Sequence, residues 1–300
     1  MSAQQSTNHL LMIEPAVFYA NPETMDTNVY QTDGTDEPPE VILERALAEF
    51  RVYRDMLVSA GVTVTTMRGA ADCPDMIFPN WVSTYTDGSM IIYPMLNDNR
   101  RAEKRPRILE FLRRHYPDVT DWSAYEQRGL ALESTASIVS DHINRRAYAG
   151  LSRRTAPELV AKWAEHTGYQ TLPFSTTSHT GLPVYHTDFL MFIGTGLAGI
   201  CTECLSDVEE RNAVLKSLQE THEVIELTPE QLQSNCGNAL EVVGRDNTRL
   251  LTLSQSALEA LTPTQEAQIA RHYTRLVTPS LTTIETYGGG SARCMLMELF

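Results

Sequence analysis

A small set of side chains in this sequence has the types and settings that nucleophilic and acid–base chemistry requires. Cys294 lies between the glycines Gly288, Gly289 and Gly290 and the apolar finish of GGGSARCMLMELF. A cysteine held at the end of a fixed strand, with small neighbours leaving space beside its sulfur, can act as a nucleophile; the same residue type also serves as plain packing. His186 and Asp188 stand two apart in VYHTDFLMF, and strand periodicity aims both at one face. An imidazole and a carboxylate aimed together suit proton transfer and cation binding, the alternative being a satisfied core histidine. Glu133 in ALESTAS precedes the strand-like SIVS, where its other reading is a turn residue bonding local backbone. Asn80 in FPNW and Asn238 in CGNAL stand in the same relation to strand segments.

The elements that must position these residues follow a recurring order: a hairpin of apolar segments, an amphipathic helix, then a short strand. EVILERALAEFRVYRDMLVSAG has helical apolar spacing, and VTVTT follows it. MIFPNWVSTYTDGSMIIYPM forms strands around an Asp87-Gly88 turn and leads to the helix RRAEKRPRILEFLRRHY. SIVSDHINRRAYAGL, then APELVAKWAEHTG and YQTLPF, repeat the order. So do VYHTDFLMFIGTGLAGICTECL with DVEERNAVLKSLQETH and EVIEL, and ALEVVGRDNTRLLTLS with TPTQEAQIARHYTRL and TTIE. These are about five modules of roughly 50 to 60 residues, a repeat architecture within one α/β domain spanning residues 1–300. Five such units close into a ring when the tail strand ARCMLME joins LMIEPAVFYA. A pseudo-fivefold ring then brings Asn80, Glu133, His186, Asn238 and Cys294 to its centre.

Composition narrows the function. The net charge is -14, no Lys/Arg stripe with interleaved aromatics is present, and nucleic acid is therefore not an expected partner. A small cationic substrate suits this charge. No apolar run reaches the length of a membrane span, and the polar start MSAQQSTNHLL is unlike a signal peptide, so the expected location is cytoplasmic. The five cysteines lack the spacing of a disulfide framework, and Cys201 and Cys204 in CTEC have no second pair or clustered histidines to complete a zinc site. No metal or cofactor is expected. GTGLAG, Gly194 to Gly199, fits G-x-G-x-x-G, but a strand-like segment rather than a long helix follows, which favours a hairpin turn.

In order along the chain, PDMIFPN, NRRAEKR, ALEST, LSRRT, YHTD, CGNALEV and GGGSARCM resemble the guanidine-modifying enzymes: arginine deiminases, dimethylarginine hydrolases, amidinotransferases and relatives. The likeness is strongest to the citrulline-utilisation hydrolase branch. The resemblance implies the five-bladed α/β propeller called the pentein. It also implies hydrolysis of a C–N bond in a guanidino or ureido group, on an arginine-like substrate, through a covalent cysteine adduct. By the same likeness Cys294 matches the nucleophile, His186 the general acid/base, and Glu133 the acid that holds the substrate's planar nitrogens. Asp188 matches a guanidinium-binding aspartate, and Asn80, Asn238 and Gly290 are further substrate-side positions. Arg101 and Arg154 match arginines that hold a substrate α-carboxylate. The partner is then a small guanidino or ureido amino acid, and a homo-oligomer is compatible with the family. Asn80 favours a neutral ureido group, whereas Asp188 favours a guanidinium. The alternatives are amidino transfer to a second amine and a non-catalytic pentein that only binds. The polar segment Thr32 to Glu40 is the candidate lid.

Overall fold

Hairpins that bury both faces need helices packed around them, and the chain meets that need five times over. The computed structural model describes residues 4–32 and 37–300. The described residues form five three-stranded sheets of one design: an inner strand antiparallel to a middle strand, which is parallel to an outer strand. Val82–Thr84, Ser89–Ile92 and Asp118–Asp121 make one blade, and Val139–Asp141, Arg146–Leu151 and Gln170–Ser175 the next. Met191–Ile193, Leu197–Ile200 and Glu223–Glu226 make a third. Leu240–Val243, Arg249–Thr252 and Leu276–Val277 make a fourth.

The remaining blade is split between the ends of the chain. His9–Glu14 is its middle strand and Thr63–Arg68 its outer one, while Met297–Glu298 supplies the inner strand. The tail therefore does for this blade what a local hairpin does for the others. Adjacent inner strands touch, 139–141 against 191–193, 191–193 against 240–243, and 297–298 against 82–84, so the blades surround a common axis. The fold is a five-bladed α/β propeller.

Helices cover the outside through the faces their sequences mark. Ile42, Ala46, Phe50, Tyr53 and Leu57 of Pro39–Ser59 are buried at helical spacing, as are Leu159, Val160 and Trp163 of Pro157–Thr167. Each fully buried large apolar side chain stabilises by about 1.5–3 kcal/mol. The seam between the chain ends is part of this core: Leu10, Phe50, Val242, Leu250 and Leu296 belong to one cluster. No helix among the described residues is long and apolar enough to cross a membrane.

Several local expectations are corrected. TTIE is not a strand but the start of the helix Thr282–Gly288, whose first amides, those of Thr283 and Ile284, donate to the Glu49 carboxylate at 2.8 and 3.0 Å. A cap supplied from another helix leaves no trace in the local sequence. RRAEKRPRILEFLRRHY splits into Asp98–Arg101 and Pro106–His115, because Pro106 begins a new helix. ARCMLME is strand only at Met297–Glu298, and Cys294 sits in the preceding 3-10 turn Arg293–Met295. His186 and Asp188 do not share a strand face, since His186 is extended and Thr187–Leu190 is a helical turn. Of the lid candidate, residues 33–36 lie outside the described residues, and Pro39 and Glu40 begin a helix. The first three residues of GTGLAG are the hairpin turn between Met191–Ile193 and Leu197–Ile200, with Gly196 at φ +82, and its LAG already belongs to the second strand.

Candidate functional site

Each of the five recurring positions lies just before an inner strand, at the same end of the axis. In three blades a single helical turn intervenes, Ser134–Ser137 after Glu133, Thr187–Leu190 after His186, and Arg293–Met295 around Cys294. These turns lift the side chains off the strands, so that His186 meets Glu133 and Asp188 meets Cys294. Thr187 anchors one of them, its hydroxyl donating to the Ser137 carbonyl at 2.6 Å and accepting the Gly150 N–H at 2.8 Å.

Cys294 is 2% exposed and gripped from two sides. Asn238 Nδ2 donates to its sulfur at 3.0 Å, and the Cys294 N–H donates to Asn238 Oδ1 at 3.2 Å. On the other side the thiol donates to Asp188 Oδ2 at 3.5 Å. Burial first, and then the Asp188 charge, push the Cys294 thiol up, which disfavours the thiolate. Burial also pushes Asp188 up, to about 7, against the opposing pull of Arg293 and the Cys294 hydrogen bond. The second Asp188 oxygen, Oδ1, is buried with no hydrogen-bond partner among the described residues.

Glu133 and His186 form a second cluster. Glu133 Oε2 lies 2.7 Å from His186 Nε2 and 3.5 Å from Arg154 Nη1, and Oε1 accepts the Leu96 N–H at 3.2 Å. Burial raises the Glu133 pKa, but Arg154, His186 and Arg100 together outweigh it and hold the carboxyl at about 2. Burial lowers His186 to about 4 despite Glu133, leaving a neutral imidazole. An ionised carboxylate only accepts, so Nε2 carries the proton toward Glu133 and Nδ1 keeps its lone pair. The clusters are joined through the His186–Asp188 turn and through Tyr185, whose ring lies 4.5 Å from that of His186 and whose hydroxyl donates to the Gly289 carbonyl at 2.6 Å.

The other sequence candidates fall at different distances from this centre. Arg154 is buried, its Nε and Nη2 donating to the Thr27 hydroxyl at 3.0 and 2.7 Å and its guanidinium 5.1 Å from the Tyr185 ring centre. It acts here as a counter-charge to Glu133. Arg101 is committed to the Met95 and Leu96 carbonyls and to Asp98, on the loop whose Leu96 N–H reaches Glu133. Asn80 is buried, with its N–H on the Phe78 carbonyl. Beside Gly288 and Gly290 the room a side chain would take is filled by the Phe78 ring, and beside Gly289, at φ +59, by Asn28. The glycines thus admit protein rather than open space next to the tail.

Sequence reasoning missed a buried acid and the strap that covers it. Asp75 Oδ2 accepts from Asn21 Nδ2 at 2.8 Å and from the Thr24 hydroxyl at 3.2 Å, while its Oδ1 has no partner among the described residues. The same strap reaches Arg154 through Thr27 and the Gly288 carbonyl through Asn28, and lays Tyr30 on Phe189 at 3.9 Å between ring centres. Its signal is the Asn/Thr-rich YANPETMDTNVYQT, which runs into the candidate lid. A buried Arg100–Glu103 pair at 2.7 Å lies alongside, with Arg100 also holding the Phe78 carbonyl at 2.6 Å. Among the described residues no group of three or more His, Cys, Asp or Glu is arranged to hold a metal ion.

Comparison with known proteins agrees with this fold. The chain superposes on the N-terminal domain of ArgZ, an arginine dihydrolase from the ornithine-ammonia cycle in cyanobacteria, bound to substrate, with a TM-score of 0.76 at 16% identity. That match covers 97% of each chain, whereas the chain spans only 40% of full-length ArgZ, at 15% identity. A DDAH mutant from Pseudomonas aeruginosa complexed with citrulline matches over 100% of both chains, with a TM-score of 0.67 and 18% identity. No curated protein matches the chain. The family model for eukaryotic N,N dimethylarginine dimethylhydrolase matches residues 14–300. With nearly its whole length matched, the chain belongs to the dimethylarginine dimethylhydrolase family of penteins.

Proposed function

We propose that the protein hydrolyses a C–N bond of the guanidinium group of an arginine-like amino acid, with N-methylated arginine as the first substrate to test. The observation that carries this reading is Asp188, a buried carboxylate 3.5 Å from the Cys294 sulfur with one oxygen unpartnered among the described residues. A buried acid in that state calls for a cationic N–H donor, and a guanidinium supplies two on one edge. A neutral ureido group would leave the charge uncompensated. Asp75, also with one oxygen unpartnered among the described residues, adds to the preference.

In this reaction the Cys294 thiolate attacks the guanidinium carbon, and the bond from that carbon to the departing nitrogen breaks. His186 takes up the proton that the Cys294 thiol loses and gives it to the departing amine. Water, deprotonated at His186, then adds to the thiouronium adduct, the carbon–sulfur bond breaks, and a ureido product leaves. Glu133 and Arg154 hold the imidazole in place throughout. The dihydrolase name of ArgZ and the amide at Asn80 support arginine and citrulline as the comparison substrates.

The test is incubation with N,N-dimethylarginine, arginine and citrulline, following amine, ammonia, citrulline and ornithine, with rapid acid quench and intact mass. Turnover of a guanidino compound with an adduct on Cys294 is expected. Failure to turn over any of them, with Cys294→Ser indistinguishable from the parent, sinks the reading.

A further inference from the structure

The Asn238 side chain touches the nucleophile and the segment that carries its acid partner at the same time. Its Nδ2 donates to Cys294 Sγ at 3.0 Å and to the Asp188 carbonyl at 3.0 Å, while its Oδ1 accepts the Cys294 N–H at 3.2 Å. The residue is 0% exposed, so water does not compete for these bonds. Two contacts to one cysteine, one to its backbone and one to its sulfur, fix the direction of the Cα–Sγ vector as well as the sulfur's position.

The loop that presents Asn238 is shaped for this. A Cβ on Gly237 would stand 2.2 Å from the Phe189 carbonyl oxygen and 2.8 Å from the Leu190 carbonyl carbon. Glycine therefore lets the loop lie directly on the 187–190 turn, and Asn238 reaches across that turn to the tail. Asn235, at φ +63, accepts the Asn238 N–H at its carbonyl at 2.9 Å and completes the bend.

The surroundings of the sulfur give the contact its meaning. On its other flank stands an acid, which disfavours a thiolate, and burial disfavours it further. The His186 Nε2 is committed to Glu133 and does not serve the sulfur. Among the described residues Asn238 is the side-chain N–H donor to the sulfur, beside the Ser291 backbone and the Arg293 charge, which also favour the thiolate.

We infer that Asn238 is the side chain that clamps and stabilises the Cys294 thiolate and registers it against Asp188, rather than a substrate-binding residue. Resting on the covalent reaction proposed above, this assigns thiolate formation to an amide clamp built by Gly237, Asn238 and the tail turn. A hydrogen bond to a charged group is worth about 1.5–3 kcal/mol, or roughly ten- to a hundredfold in thiolate population.

Alkylation of Cys294 by iodoacetamide at pH 7 to 10, followed by peptide mass spectrometry, tests this without any substrate. Asn238→Leu removes the donor, and Asn238→Asp keeps the shape and replaces the donor with an acid. Both are expected to alkylate about ten- to a hundredfold more slowly than the parent at a given pH, with Asp slowest where its carboxyl is ionised. If the leucine variant does not fold, the aspartate variant carries the comparison. Parent-like alkylation in a folded variant of either kind overturns the inference. Lack of turnover by the parent would count against the proposed reaction while leaving this comparison readable.

Discussion

Glu133 and Asp188 are both buried carboxylates at one site, yet the fold treats them in opposite ways. Glu133 is surrounded by Arg154, His186 and a backbone N–H, and its pKa lies at about 2. Asp188 faces a thiol, keeps one oxygen without a partner among the described residues, and rises to about 7. The first charge is already neutralised by the protein. The second has only the distant pull of Arg293 and no ion pair among the described residues, and a buried acid left in that condition is a receptor for a cation arriving from outside. Glu133 is thus part of the structure that holds the imidazole, whereas Asp188, on the proposed reaction, is the group that meets substrate.

Substitutions should separate the two. Cys294→Ser removes the sulfur that both clusters serve and is expected to lower kcat by about 10^4-fold or more, measured as amine release. Glu133→Ala strips Arg154 and His186 of their buried partner and should destabilise the fold by about 3–5 kcal/mol in urea unfolding. Asp188→Asn should do the reverse, leaving stability equal or higher while weakening guanidino ligands by about ten- to a hundredfold and sparing ureido ones. A matching loss of stability in the Asp188 and Glu133 variants would erase the distinction.

The smallest effect is on the pH dependence of folding. Glu133 is lowered from 4.5 to about 2, so its contribution is full above pH 4.5 and is lost as pH falls toward 2. Asp188 is raised from 3.8 to about 7, so it favours folding below pH 3.8 and that advantage is lost as pH rises toward 7. Glu133→Gln should flatten the acid limb of a stability profile, and Asp188→Asn the limb between about pH 4 and 7.

Much of the architecture is legible in the sequence because it is written locally. Hairpin turns such as Asp87-Gly88 and Gly194 to Gly196, apolar helix faces, and the recurrence of one polar residue before each inner strand all depend on neighbours in the chain. What is not legible depends on distant residues. The cap that Glu49 gives to Thr282–Gly288, the Thr187 bonds that hold a helical turn in place of a strand, and the strap on Asp75 join residues far apart in sequence. The motif around Arg154 marks it as a carboxylate holder, and only the fold shows Thr27 and Glu133 beside it. Cys294 and Asp188 both stand out in the sequence, but the 3.5 Å between them does not.

The central claim is that Asp188 waits for a cation. Calorimetric titration of the Cys294→Ser protein with a guanidino amino acid, at about pH 6 and pH 9 in buffers of different ionisation enthalpy, tests it most directly. The serine variant removes the thiol proton from the count. The account predicts release of about one proton per ligand at pH 6 and almost none at pH 9, with the release abolished by adding Asp188→Asn. Binding with no proton release at the lower pH, or release unchanged by Asp188→Asn, would contradict it.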